Sequence, residues 1–174
     1  CSNCDKITDM SFVNLINFIN GKVSVEKLGQ IATIYEDTYY SINNCPREID
    51  IDTIPEYGDL PIGNYHFVGK IGAYSFLLDD DIRASSILSN RGCRGKCTYC
   101  SVNAFYGKGV KSRSIKVIVD EMELMKNKYN ISHFMWLDDD LFFNEDRSIK
   151  LFNEITNRNL DITWDASNGV IATS

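Results

Sequence analysis

No stretch of this 174-residue sequence approaches the roughly 18 consecutive apolar residues of a membrane-spanning helix, so a bilayer-embedded helix is excluded. Proline is scarce, at 3 residues, and no low-complexity tract occurs, which argues against a disordered or linker-dominated chain. Histidine is scarcer still, at 2 residues. Neither His66 nor His133 has a second ligand at metal-binding spacing, so neither is assigned a role. A cationic stripe is also missing. The net charge is −6 with lysines and arginines scattered, which argues against a nucleic-acid footprint. The first residues, Cys1-Ser2-Asn3-Cys4, carry no initiator methionine and no signal-peptide pattern. The chain therefore reads as an internal fragment of a longer protein.

What is present is cysteine. Six cysteines could mean three disulfides in a secreted protein. Three of them, however, fall at C-x-x-x-C-x-x-C spacing within Arg91-Gly92-Cys93-Arg94-Gly95-Lys96-Cys97-Thr98-Tyr99-Cys100-Ser101, which suits metal better than pairing. Three thiolates around a four-iron cluster leave one iron without a protein ligand, whereas electron-transfer clusters are closed by four cysteines. Structural zinc also takes four ligands, and Cys1-x-x-Cys4 finds no second pair to complete such a site. Cys1, Cys4 and Cys45 receive no role. Arg94 and Lys96 either favour the thiolate form of their neighbours or stand as solvated loop cations.

The pattern of elements gives the loop a place. A first helix is predicted with Thr8 or Asp9 as cap, Phe12, Leu15, Ile16 and Ile19 on one face, and Gly21 as stop. Ile31–Tyr35 and Tyr39–Ile42 read as a hairpin around Glu36-Asp37-Thr38. From Ala84 the pattern becomes strand, loop, helix, strand, helix, strand. The strands are Ala84–Ser89, His133–Leu137 and a third through Ile162-Thr163-Trp164. The first intervening helix starts near Ser114 and carries Ile115, Ile118, Met122, Met125 and Tyr129. The second, capped by Asn144 or Asp146, carries Ile149, Phe152 and Ile155. Alternating strands and helices imply an α/β fold with a parallel sheet, and the cysteine loop then leaves the C-terminal end of the first strand.

The loop resembles that of the radical S-adenosylmethionine (SAM) superfamily, in its cobalamin-associated branch. Ser89-Asn90-Arg91-Gly92-Cys93 is similar to that branch's Ser-x-Arg-Gly-Cys, and Tyr99 fills its aromatic position before the third cysteine. Lys111-Ser112-Arg113-Ser114 with Val119-Asp120-Glu121-Met122 resembles its arginine-serine turn and first helix. Phe134-Met135-Trp136-Leu137-Asp138-Asp139-Asp140-Leu141-Phe142 resembles its second strand, ending in paired aspartates. The resemblance runs from about Pro46 to the last residue.

It implies a truncated, partial (β/α) TIM-like barrel of the radical SAM type, preceded by a small α+β segment. On that reading residues 1–45 are the C-terminal remnant of a cobalamin-binding-type domain, 46–83 a linker and 84–174 the incomplete N-terminal part of the radical SAM core. A cut sheet of this kind is expected to be marginally stable alone. The resemblance implies that Cys93, Cys97 and Cys100 ligate a [4Fe–4S] cluster and that SAM chelates the open iron. One electron then splits SAM into methionine and a 5′-deoxyadenosyl radical, with flavodoxin or ferredoxin as the implied donor. Cobalamin would be held by residues outside this chain, since no cobalt-gripping histidine motif is present.

Implied contacts to SAM come from Tyr99, from Asp138 and Asp139 at the end of strand two, and from Ser167 and Asn168 after strand three. Other readings stand beside these. Tyr99 is otherwise a core aromatic, the aspartates a capping or solvated loop, and Asn168-Gly169 a plain turn. Adjacent carboxylates on an extended strand face opposite ways, so at most one or two of the three reach one pocket. No catalytic side chain is assigned and the substrate, small molecule or peptide, is open. Candidate reactions include methyl transfer, with a transfer-RNA methylthiotransferase-like enzyme or a non-catalytic iron–sulfur or zinc module as alternatives. Labile iron places the protein in a reducing compartment, the cytoplasm.

Overall fold

The computed structural model describes residues 14–28, 32–41, 51–58, 60–62, 79, 81–166, 168 and 170–171. The chain divides into two units, Cys1–Ile51 and Asp52–Ser174. The predicted helix cap, Phe12, His66, Cys1, Cys4, Cys45, Ser167 and Gly169 lie outside the described residues.

In the first unit, helix α1 spans residues 14–19. Gly21 ends it at φ +69°, a left-handed conformation that favours glycine, with its N–H on the Phe18 carbonyl at 2.9 Å. The expected apolar face is not buried: Ile16 and Ile19 are 54% and 72% exposed. Phe18 instead meets Tyr35 edge-on, ring centroids 5.1 Å apart. Strands β1 (Ala32–Tyr35) and β2 (Thr38–Ser41) pair antiparallel across a two-residue turn. Glu36 and Asp37 both have positive φ, 47° and 58°, the twist a tight hairpin needs, so Thr38 opens β2 rather than completing the turn.

The second unit is built on a three-stranded parallel sheet of β3 (Ala84–Ile87), β6 (His133–Trp136) and β7 (Thr163–Ala166), in the order β3-β6-β7. Helices α3 (Ile115–Tyr129) and α4 (Glu145–Asn157) connect these strands. Phe134 and Trp136 point to one side of β6 and meet Ile118, Met122, Met125, Leu151 and Ile155 in one buried cluster. Asn144 caps α4, accepting from the Arg147 N–H at 2.9 Å, while Asp146 lies within the first turn. Ser114 precedes α3 as expected, but it makes no side-chain cap; the Asp52 carboxylate accepts its N–H instead.

Ile149 departs from the expectation for α4. It is 52% exposed, and with Phe142, Phe152 and Ile171 it lines an open apolar groove, while Ser148 and Leu151 take the buried face. Spacing marks an apolar side chain but not what covers it. Leu151 is fully buried, so Leu151→Ala is expected to destabilise the unit by about 2–5 kcal/mol. A urea titration reads this as a lower midpoint at unchanged slope, and an unchanged midpoint would refute the placement of the core.

Strand one stops at Ile87, short of the expected Ser89. The chain then turns into β4 (Asn90–Cys93), which pairs antiparallel with β5 (Gly109–Ser112) around the short helix α2 (Val102–Tyr106). This hairpin, standing at the C-terminal end of β3, was not anticipated. No described helix is long and apolar enough to cross a membrane.

Candidate active site

Cys93 is the last residue of β4, opposite Gly109. Its neighbour Gly92 has φ +92°, and a Cβ there would lie 2.3 Å from the Gly109 carbonyl oxygen. Only glycine permits so close a backbone approach, which explains Arg-Gly-Cys at this position. Gly95 has a second steric role. A Cβ built on it would lie 3.2 Å from the Cys93 Sγ and 3.9 Å from the Cys97 Sγ. Ile171 Cδ1 would lie 3.7 Å away as well, so the absent side chain keeps the loop from crowding both thiols. The Gly95 N–H also donates to the Cys93 Sγ at 3.2 Å. Cys97 and Cys100 are exposed on a turn closed by the Cys100 N–H and the Cys97 carbonyl at 3.1 Å. All three thiols are free.

Among the described residues no three histidine, cysteine or acidic groups gather around a single-ion position. A polynuclear cluster makes no such demand, because each thiolate binds a different iron. The three free sulfurs, with a cleft of about 550 Å³ lined by Cys93 and Gly95, fit that group.

Burial pushes the Cys93 thiol up from its ordinary pKa, and Asp140 and Asp139 add to the effect against the Gly95 N–H. The expected help from Arg94 is redirected. Its guanidinium pairs with Asp140 at 3.1 Å and donates to the carbonyls of Phe142, Phe143 and Ile171. Arg94, though exposed, is thus engaged with oxygen and not aimed at sulfur; it ties the cysteine loop to the segment after β6.

The three aspartates alternate in burial, although β6 has ended and the chain bends at Asp139 and Asp140. Asp138 and Asp140 are 2% and 0% exposed, and both turn toward the cysteine segment. Asp138 accepts from the Asn90 N–H at 2.8 Å, the Ser89 N–H at 3.0 Å and the Ser89 hydroxyl. Burial raises its carboxyl above the usual range against these donors and Arg147. Asp140 Oδ2 accepts the Arg94 N–H at 3.2 Å, while its Oδ1 is buried without a partner. Asp139, between them, is partly exposed, and burial alone raises its carboxyl. Tyr99 is 91% exposed, which removes the core-aromatic reading. Asn168 donates to the Leu137 carbonyl at 2.9 Å, linking the ends of β7 and β6.

A buried polar network behind the loop went unread in sequence. Arg147 donates to the carbonyls of Ser89 and Arg113, both at 3.0 Å. Arg113 donates to the Leu88 carbonyl at 2.9 Å and pairs with buried Glu121, whose other oxygen accepts the Tyr57 hydroxyl at 2.6 Å. Burial and then Glu121 push the Tyr57 hydroxyl far up, and burial lowers Arg147 against the pull of Asp138 and Asp52. His133, which received no role from sequence, sits buried between Thr163 Oγ1 at 2.7 Å and Asp165 Oδ2 at 3.1 Å.

The comparisons with known proteins agree on where this chain belongs. Residues 87–172 match the family described as the Radical SAM superfamily. The chain is 27% identical over 149 residues to an uncharacterized methyltransferase of Pyrococcus horikoshii, covering 83% of this chain and 30% of that protein. It is 27% identical over 183 residues to cytidylyl-2-hydroxyethylphosphonate methyltransferase of Streptomyces wedmorensis, covering 92% of this chain and 34% of that one. Among solved structures it resembles OxsB, a cobalamin-dependent S-adenosylmethionine radical enzyme, with a TM-score of 0.58 at 14% identity over 93% of this chain and 22% of OxsB. It also resembles TsrM, a radical S-adenosylmethionine methyltransferase from Kitasatospora setae, with a TM-score of 0.55 at 16% identity over 86% of this chain and 28% of TsrM. These structural likenesses establish the fold, an incomplete part of a TIM-like barrel. The chain spans about a third of the length of the curated relatives it matches.

Proposed function

Through residues 87–172 this chain belongs to the radical SAM superfamily, and from that premise we propose that it carries the cluster-binding part of a cobalamin-associated radical SAM enzyme, with methyl transfer as its reaction. The observation that carries the proposal is the set of three free thiols, with Cys93 and Gly95 lining a cleft of about 550 Å³. Cys93, Cys97 and Cys100 would hold a [4Fe–4S] cluster. Such a cluster, once reduced, supplies the electron that splits bound SAM into methionine and a 5′-deoxyadenosyl radical.

The chain's own groups have distinct tasks in this reading. Asp138 holds the Ser89–Asn90 backbone from which the cysteine strand departs, and Asp140 holds Arg94 inside the loop. The exposed ring of Tyr99 offers a face for adenine. Asp139 and the backbone beside it are the candidates at the end of β6 for the ammonium of SAM, because the Asp138 carboxylate is already engaged. Ser167 and Asn168 complete the proposed SAM contacts.

The methyl-transfer part rests on the two curated methyltransferases, whose alignments extend over most of this chain. Residues 1–45 are proposed as the remnant of a cobalamin-binding-type domain, with 46–83 as linker and the cobalt itself held outside this chain. The unit boundary at Ile51 and Asp52 falls within that linker. Oxygen-labile iron makes the cytoplasm the proposed compartment.

The test is product analysis on the intact protein under anaerobic conditions. Dithionite and SAM are expected to yield 5′-deoxyadenosine and methionine. A loaded, reducible cluster that leaves SAM uncleaved would refute the radical chemistry.

A further inference from the structure

The sequence marks residues 46–83 as a linker, yet part of that segment reaches the cysteine strand. The Tyr57 hydroxyl donates to Glu121 Oε1 at 2.6 Å, Glu121 Oε2 pairs with Arg113, and Arg113 donates to the Leu88 carbonyl at 2.9 Å. These contacts form one line from the linker to the residue just ahead of Ser89 and β4. The Arg113 main chain meets the same place, its N–H on the Ser89 carbonyl at 3.0 Å. Asp52 reaches this support from a second point of the linker, through the N–H of Ser114. The line is sheltered from water, because Glu121 and Arg113 are both buried. Tyr57 is itself held in place. The Tyr129 hydroxyl donates to its carbonyl at 3.0 Å, and the two rings meet edge-on with centroids 6.2 Å apart.

We infer that Tyr57 is a positioning residue for the cysteine strand, and that the linker is a strap which sets that strand through Glu121 and Arg113. The pose of Arg113 argues for this over simple charge neutralisation. A guanidinium that only balanced Glu121 would lay two N–H groups on the two carboxylate oxygens, the arrangement such pairs favour. Arg113 instead gives one terminal nitrogen to Glu121 and the other to Leu88, and its Nε–H is buried without a partner. The second Glu121 oxygen is thereby left for Tyr57. Removing the Tyr57 hydroxyl strands that oxygen in a buried place. The carboxylate is then expected to rotate onto Arg113 and draw the guanidinium off the Leu88 carbonyl. The positioning concerns the polypeptide alone; its consequence for a cluster rests on the radical SAM reading of the three thiols.

The test is Tyr57→Phe in the intact chain, which removes one hydroxyl and keeps the ring against Tyr129. Leu151→Ala is the comparison, because it weakens the same unit from a buried position outside this line of contacts. Without iron, hydrogen exchange read by mass spectrometry is expected to quicken about tenfold at the Ser89–Cys93 amides in Tyr57→Phe, the loss of one hydrogen bond to a charged group. The same amides are expected to keep the parent rate in Leu151→Ala, although its urea midpoint falls further. With iron loaded, release to a chelator is expected to quicken about tenfold in Tyr57→Phe and to stay near the parent rate in Leu151→Ala. Parent-like exchange at Ser89–Cys93 in Tyr57→Phe would overturn the strap. So would exchange that follows the lost urea stability equally in both variants, or a loaded cluster that releases iron at the parent rate in Tyr57→Phe. Selective quickening in a chain that never loads iron would retain the strap and sink the cluster chemistry, so the two failures are told apart.

Discussion

Cys97→Ala is expected to leave the chain folded and unable to hold iron. Anaerobic reconstitution with iron and sulfide should load about four irons per parent chain and give the broad visible absorbance of such clusters. The variant should fall below about one iron per chain, because two remaining thiolates cannot fix three corners of a cluster. The expectation of an intact fold comes from exposure. Cys97 lies on an open turn, so its truncation leaves no cavity, and the urea midpoint should move by no more than about 0.5 kcal/mol equivalent. Cys100→Ala is expected to behave alike, since Cys100 is equally open. Cys93→Ala removes a half-buried thiol that accepts the Gly95 N–H, so it should lose iron and some stability together. Full iron loading in Cys97→Ala would refute the ligand set and with it the proposed reaction.

How far the sequence disclosed this arrangement depends on whether the signal was local. Helix α3 was legible because Ile118, Met122 and Met125 recur at helical spacing and are all buried, at 0%, 0% and 2% exposure. The cap at Asn144 and the parallel order of the strands followed from equally local rules. The β4–β5 hairpin was hidden because Asn90-Arg91-Gly92-Cys93 and Gly109-Val110-Lys111-Ser112 show no apolar alternation; backbone pairing and two glycines hold it. The three cysteines stood out as candidate ligands because C-x-x-x-C-x-x-C spacing is a local signal. The residues that hold their strand, Arg113, Arg147, Glu121 and Asp138, reach partners 8 to 64 positions away, and no short window of sequence contains both ends of most of these contacts. Whole-chain charge is blind to position for a similar reason: a sum of −6 does not show that one 38-residue stretch from Ile82 to Val119 holds no acid at all.

Asp138→Ala tests whether this aspartate is a strut for the cysteine strand or a contact for the cofactor. The carboxylate accepts two backbone N–H groups and one hydroxyl in a place that is 2% exposed. Alanine would leave these donors buried without an acceptor, at about 1–3 kcal/mol each, and would leave the partly buried Arg147 without its nearby countercharge. The expected cost is on the order of 3–5 kcal/mol, read as a lower urea midpoint, together with reduced iron loading because Asn90 opens the cysteine strand. Asp138→Asn should recover part of the loss, since its amide oxygen can keep the Asn90 N–H and Ser89 hydroxyl bonds made by Oδ1, while its N–H₂ would confront the Ser89 N–H at the Oδ2 position. Asp139→Ala supplies the contrast. That side chain is partly exposed and no hydrogen bond within the described residues depends on it, so stability should change by less than about 0.5 kcal/mol and iron loading should stay full. Weaker SAM binding in Asp139→Ala alone would assign the cofactor contact to Asp139. An Asp138→Ala protein as stable as its parent, but unable to bind SAM, would reverse the assignment and return Asp138 to the cofactor pocket.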